Sequence, residues 1–305
     1  MKKKLKTALF TKFVRCWRCF TIFVKHLMEQ QTTKNKQKET EKVMSFWDHL
    51  EELRWHILRS IIAIMVLAII AFLNRKIVFD YIILAPSSSD FITNRALCKL
   101  GEIIHISSIC IKNLNFQIIN ISMSGQFLTH MYISTVAGFI LAFPYILFEI
   151  WRFIKPALHI KEQKYSRGGV FISSLLFLLG VLFSYFLIVP LTVNFLGNYQ
   201  VSATVMNQVS LKSYINTVVS VTFAVGVVFE LPILVYFLTK VGVITPDFLT
   251  SNRKYMFVVL LALAAIITPP DMFSQIMVVI PLVGLYEVSI KVSKRVYKKV
   301  QAEEV

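Results

Sequence analysis

The feature that most constrains this chain is a series of apolar runs recurring from residue 57 almost to its end. Six of them read as membrane spans, at 57–73, 131–150, 169–190, 214–238, 255–267 and 273–286. A hydrocarbon core about 30 Å thick offers the backbone no water, so a span must close its own hydrogen bonds as a helix of about 20 residues. Composition agrees: 56% of the 305 residues are hydrophobic and 16% charged, against roughly 25% charged in a soluble domain. The expected fold is an all-α integral membrane protein with six transmembrane helices. Soluble enzymes, disordered chains and collagen-like chains are excluded.

The spans are uneven. The fifth offers thirteen residues and the sixth, between Asp271 and Glu287, fifteen. As helices these reach about 20 and 22 Å, so the sequence predicts short helices five and six and a locally thinned bilayer. Pro144, Pro232 and Pro281 fall inside spans two, four and six. Proline removes a backbone donor and kinks a helix, which predicts bent helices forming a concave wall.

Orientation follows from Lys and Arg in the short loops. One face carries Arg152, Lys155, Lys161, Lys164 and Arg167, then Lys240, Arg253 and Lys254, then Lys291, Lys294, Arg295, Lys298 and Lys299. The other carries Lys212 between spans three and four, and none at 268–272. Both termini are expected on the cytoplasmic side. Residues 74–128 then form a long external loop, whose charge is not decisive because long loops translocate regardless. Within it, 115–123 (NFQIINISM) alternates as a half-buried strand does. Cys98 and Cys110 share this oxidising-side loop. A disulfide there would close a short ring worth about 3 kcal/mol in the chain-entropy picture, and two free thiols are the alternative.

Much of the formal charge of +16 sits at the ends. Residues 1–43 hold twelve Lys/Arg against three Glu, leaving +9. The chain therefore divides into a basic cytoplasmic extension at 1–43, a six-span domain at 44–289 and a basic cytoplasmic tail at 290–305. Anionic lipid headgroups suit basic segments that flank apolar spans. No basic stripe interleaves with a nucleic-acid motif, so nucleic acid is not an expected partner. The start is no signal peptide, because Lys12, Arg15 and Arg18 interrupt its apolar run. Met28 and Met44 are alternative starts, and Cys16 and Cys19 have neither a second ligand pair nor a βαβ context.

No HExxH, GxSxG, phosphate-binding loop or glycine-rich dinucleotide turn occurs. No catalytic residue, metal or cofactor is expected. What remains is a sparse set of acids. Asp48, Glu51 and Glu52 lie in the first turns of an amphipathic helix whose stripe is Phe46, Leu50, Leu53 and Ile57. A helix start accounts for these acids as well as function does. Glu230 lies mid-membrane, where an ionisable group is costly and marks a functional site; the alternative is a protonated side chain used for packing. Asp271, after two prolines, serves as a turn residue or a partner contact. Glu149, near a helix end, reads as a carboxylate that snorkels to the cytoplasm.

These residues carry a resemblance. His49-Leu50-Glu51-Glu52-Leu53-Arg54 resembles the HLxELRxR motif of the TatC family, the multispanning subunit of the twin-arginine protein translocase. Ala85-Pro86, Phe143-Pro144, the run Trp151 to Leu158, Lys161-Glu162, Phe229-Glu230-Leu231-Pro232 and Thr268 to Gln275 follow in the family's order. The resemblance covers roughly 44–289. It implies a non-enzymatic receptor for the twin-arginine signal peptides of folded cargo, in the bacterial cytoplasmic membrane. It further implies single-span TatA/TatB-type partners, homo-oligomers and use of the protonmotive force. The signal-binding acids fall on Glu162 and Glu52, supported by His49, Leu53 and Arg54. Glu230 becomes an intramembrane polar site, and Pro86, Pro144, Asp271 and Gln275 structural or partner positions. Paired guanidinium groups call for carboxylates. Three departures stand out: His56 replaces the motif's second Arg, Glu149 replaces a neutral polar residue, and His159 replaces an aromatic one. A secondary transporter would require inverted repeats and an intramembrane enzyme a nucleophile–base or metal constellation; neither is visible.

Overall fold

The computed structural model describes residues 46–88, 91–95, 98, 116–154, 166–200, 202, 207–268 and 272–304. The chain divides into two units, Met1–Glu51 and Glu52–Val305. The first is described only from Phe46; the architecture below belongs to the second.

Helix α1, Phe46–Leu73, is one element of 28 residues, so the amphipathic segment and the first span are continuous. After it the backbone passes through a π-helical segment, Ile77–Ile83, and a single 3-10 turn, Ala85–Ser87. Strand β1 is Gln117–Ile119. Helix α2 is Gly125–Ile154, α3 is Ser166–Phe183 and α4 is Val189–Asn198. Strand β2, Gln208–Ser210, precedes α5, Leu211–Val228, and α6, Leu231–Lys240. Then come α7, Pro246–Ser251, α8, Arg253–Ile267, and α9, Met272–Glu304.

Among the described residues, five stretches are helical, long and apolar enough to cross a membrane: Glu51–Leu73, Gly125–Ile154, Gly168–Asn198, Leu211–Lys240 and Gln275–Lys299. Two are composite. The third joins α3 to α4 through a π segment, Ser184–Ile188, with Pro190 in the first turn of α4. The fourth is interrupted at Phe229–Glu230, and Pro232 opens α6 where its missing N–H is tolerated. By contrast Pro144 and Pro281 lie inside uninterrupted helices. The expected fifth span is α8, whose 15 residues leave it short. The expectation of a short sixth helix is corrected: α9 runs for 33 residues, through the segment read as a tail. Charge at Glu287 does not end it, because Arg253 Nη2 at the start of α8 pairs with Glu287 Oε2 at 3.1 Å. Ser289, Ile290, Ser293 and Val296 stay buried beyond that point, and Thr239 and Ser293 share a hydrogen bond of 2.8 Å between α6 and α9.

The half-buried strand expected at 115–123 exists as β1, but its partner is remote. β1 pairs in parallel with β2, Ile118 opposite Val209. Close helix approach comes from small residues, as membrane packing requires. A Cβ on Gly138 would meet the Ala68 backbone nitrogen at 2.6 Å, which seats α2 directly on α1. One on Gly180 would meet Phe229 Cβ at 2.7 Å and Gly226 Cα at 3.0 Å, which draws α3 onto the break between α5 and α6. Gly242, at φ +79°, caps α6: the Val243 N–H reaches the Leu238 carbonyl at 2.9 Å, and the Gly242 N–H reaches Thr239 at 3.1 Å.

Candidate functional site

Two groups of polar side chains stand out against the apolar scaffold. The first lies on the early turns of α1. Glu52 is half-buried, with 40% of its side chain exposed; Leu53 is partly buried and Arg54 exposed. One turn on, His56 is only 5% exposed, although it follows the exposed Trp55. Its Nδ1 is hydrogen-bonded to Glu149 Oε2 on α2, and its Nε2 lies 3.9 Å from Glu52 Oε1. Glu149 is 3% exposed. The expectation that it snorkels is therefore wrong. Helix α2 continues to Ile154 beyond it, and a basic group on α1 takes the carboxylate instead. Isolated burial of this charge is prohibitive, whereas a hydrogen-bonded partner makes it tolerable.

The second group sits at the interruption of the fourth span. Glu230 is the N-cap residue of α6, in non-strained αR backbone, and its carbonyl accepts from the N–H groups of Ile233 and Leu234 at 3.1 and 3.0 Å. Ser173 of α3 donates to Glu230 Oε2. The other oxygen, Oε1, is buried with no hydrogen-bond partner among the described residues. The carboxyl group is thus tied to α3 through one oxygen, with the other buried at the break between α5 and α6. Ser173 is buried and was not singled out by the sequence, where it is one serine in an apolar run.

The remaining expected positions divide clearly. Gln275 Nε2 donates to the Leu261 carbonyl at 3.2 Å, so it staples α9 to α8. Pro86 is buried in the 3-10 turn, and Tyr185 and Tyr214 pin the end of the π-helical segment before it by donating to the Ile82 and Ile83 carbonyls at 2.7 and 2.8 Å. Cys98 is disulfide-bonded. Glu162, Asp271, His159 and Cys110 lie outside the described residues, as does the side chain of His49. Among the described residues no three His, Cys, Asp or Glu side chains converge as a metal site would require.

A family model, "Sec-independent protein translocase protein (TatC)", matches residues 48–281. The chain belongs to the TatC family. A TatC protein from Blattabacterium sp. subsp. Periplaneta americana (strain BPLAN) is 43% identical over 268 residues, covering 87% of this chain and 99% of that one. The Aquifex aeolicus TatC protein is 37% identical over 259 residues, covering 84% and 97%. A crystal structure described as the twin arginine translocase receptor TatC superposes with a TM-score of 0.64 at 37% identity, covering 81% of this chain and 99% of that one. TatC membership and the apolar helices make this a multi-pass membrane protein.

Proposed function

We propose that this chain is the signal-peptide receptor and core multispanning subunit of a twin-arginine translocase, exporting folded proteins across a bacterial cytoplasmic membrane with the protonmotive force. The observation that carries the reading is the likeness to the solved TatC receptor, which spans 99% of that chain. In this reading Glu162 and Glu52 are the two carboxylate seats for adjacent signal-peptide arginines, with His49, Leu53 and Arg54 as the supporting cytoplasmic motif. The half-exposed Glu52 side chain supports this, since a seat must be open to solvent. Glu230 is the intramembrane polar site, and its carboxyl group at the break in the fourth span supports that reading. Helices α8 and α9 receive single-span TatA/TatB-type subunits, and Asp271 serves as a partner contact. The complex is a homo-oligomer of this subunit with those partners. Both termini face the cytoplasm, and the basic segments meet anionic lipid. The role is receptor rather than enzyme and calls for no cofactor.

The test is binding of a synthetic twin-arginine peptide and its twin-lysine counterpart to the protein in lipid nanodiscs. Losing one charge-assisted contact costs about 1.5–3 kcal/mol, roughly ten- to a hundredfold in affinity. Glu162→Gln should lose the twin-arginine peptide by that factor and Glu52→Gln by less. Parental binding of both peptides by Glu162→Gln removes Glu162 as the arginine seat.

A further inference from the structure

The His56–Glu149 pair lies beside, not in, the seat proposed above, and it joins two of this chain's departures from the TatC pattern. His56 leaves α1 between two carboxylates. Its Nδ1 is held by Glu149 of α2, and its Nε2 faces Glu52 Oε1 of its own helix at 3.9 Å. The ring has little freedom to do otherwise. It is 5% exposed, Phe153 meets it edge-on at 6.1 Å, and its backbone carbonyl accepts from Ser60 Oγ at 2.9 Å.

We infer that His56 is a positioning residue for signal recognition: anchored by Glu149, it holds the Glu52 carboxylate in the orientation that receives a guanidinium. The inference rests on the reading of Glu52 as a signal-peptide contact. The asymmetry of the two contacts supports this role. The Glu149 side is buried and hydrogen-bonded, which fixes the ring, whereas the Glu52 side is longer and open, which leaves that carboxylate acceptor capacity for an incoming arginine. Imidazole also suits the task better than guanidinium. An arginine at 56 would bring five donors and could engage Glu52 bidentately, in competition with the signal peptide. A histidine offers each carboxylate one ring nitrogen. The pairing explains why an acid at 149 accompanies a histidine at 56. The smaller ring requires a fixed anion to orient it, much as a second group orients a ligating or catalytic histidine.

The experiment is a double-mutant cycle on binding of the labelled twin-arginine peptide to nanodisc-embedded protein, with melting temperature measured for every variant. In the parental background His56→Gln should weaken binding at least about threefold, a coupling expected of groups in direct contact. In a Glu52→Gln background the same change should cost nothing further, because its target is already gone. Equal losses in both backgrounds, or no loss in either, would overturn the inference and leave His56 a packing residue. Glu149→Gln repeats the cycle with the ring retained and carries the same expectations, so the test stands even if His56→Gln does not accumulate in membranes. If Glu52→Gln alone leaves twin-arginine binding at the parental level, the assignment of Glu52 itself fails, an outcome distinct from equal losses in the cycle.

Discussion

Replacing Glu230 separates a functional carboxylate from a packing one, because the two roles predict opposite balances of stability and transport. Its Oε2 accepts from Ser173, while Oε1 is buried without a partner among the described residues. Interhelical hydrogen bonds in membranes average about 0.6 kcal/mol and reach about 1.7. Ser173→Ala should therefore destabilise the contact of α3 with the α5–α6 break by that amount, roughly a three- to eighteenfold shift in the folding equilibrium constant. Glu230→Leu removes the same bond but also removes the unpartnered oxygen. Replacing both partners' polar demand with apolar surface is near-neutral or stabilising, so Ser173→Ala/Glu230→Leu should unfold within about 1 kcal/mol of the parent. Export of a twin-arginine reporter should nevertheless fall sharply in every Glu230→Leu background, and Glu230→Gln, which keeps an acceptor oxygen, should retain part of it. Reversible unfolding of the purified protein in mixed micelles gives the first quantity, and reporter export in cells lacking their own receptor gives the second. A stable Glu230→Leu variant that exports normally would show that the carboxyl group serves packing alone.

Other expectations follow from single contacts. Gly138→Val should destabilise the protein by about 1–3 kcal/mol, because a side chain there strikes the Ala68 backbone at 2.6 Å; a parental melting temperature would contradict that approach of α1 and α2. Photo-crosslinkers at the exposed Phe257, Val258, Ile276 and Ile280 should capture a single-span partner, and capture exclusively from α3 would move the partner surface elsewhere. In the proposed orientation a cysteine placed at the fully exposed Met123 should react with an impermeant maleimide in intact cells and one at position 165 should not; the reverse pattern would invert the topology. Cys98 is disulfide-bonded, and Cys110 is proposed as its partner: alkylation without reductant should leave both unmodified, and labelling of Cys110 alone would exclude it.

How much of this was legible in the sequence depends on the range over which each determinant acts. The apolar span candidates, the continuity of the amphipathic segment with the first of them and the strand at β1 are set by runs of neighbouring residues, and each could be read directly. The length of α9 could not: Glu287 looks like the end of a span until Arg253, 34 positions away, supplies its counter-charge. Likewise the pairing of β1 with β2 joins segments about ninety residues apart. The site divides on the same line. Glu230 was visible as an acid in a place where acids are rare and Glu52 through its place in the family motif, but Ser173 was not, since nothing distinguishes a serine that meets a carboxyl group from one that bonds its own helix. His56 and Glu149 show the limit most clearly. Taken singly, the first is a weakened arginine and the second a carboxylate free to reach water. Brought together across 93 positions by the seat of α2 on α1 at Gly138, each supplies what the other lacks. Substituting either alone strands a buried polar group, at a cost of about 3–5 kcal/mol where the stranded group is a charge. Such a pair is expected to change jointly, as arginine with a neutral partner or as histidine with an acid.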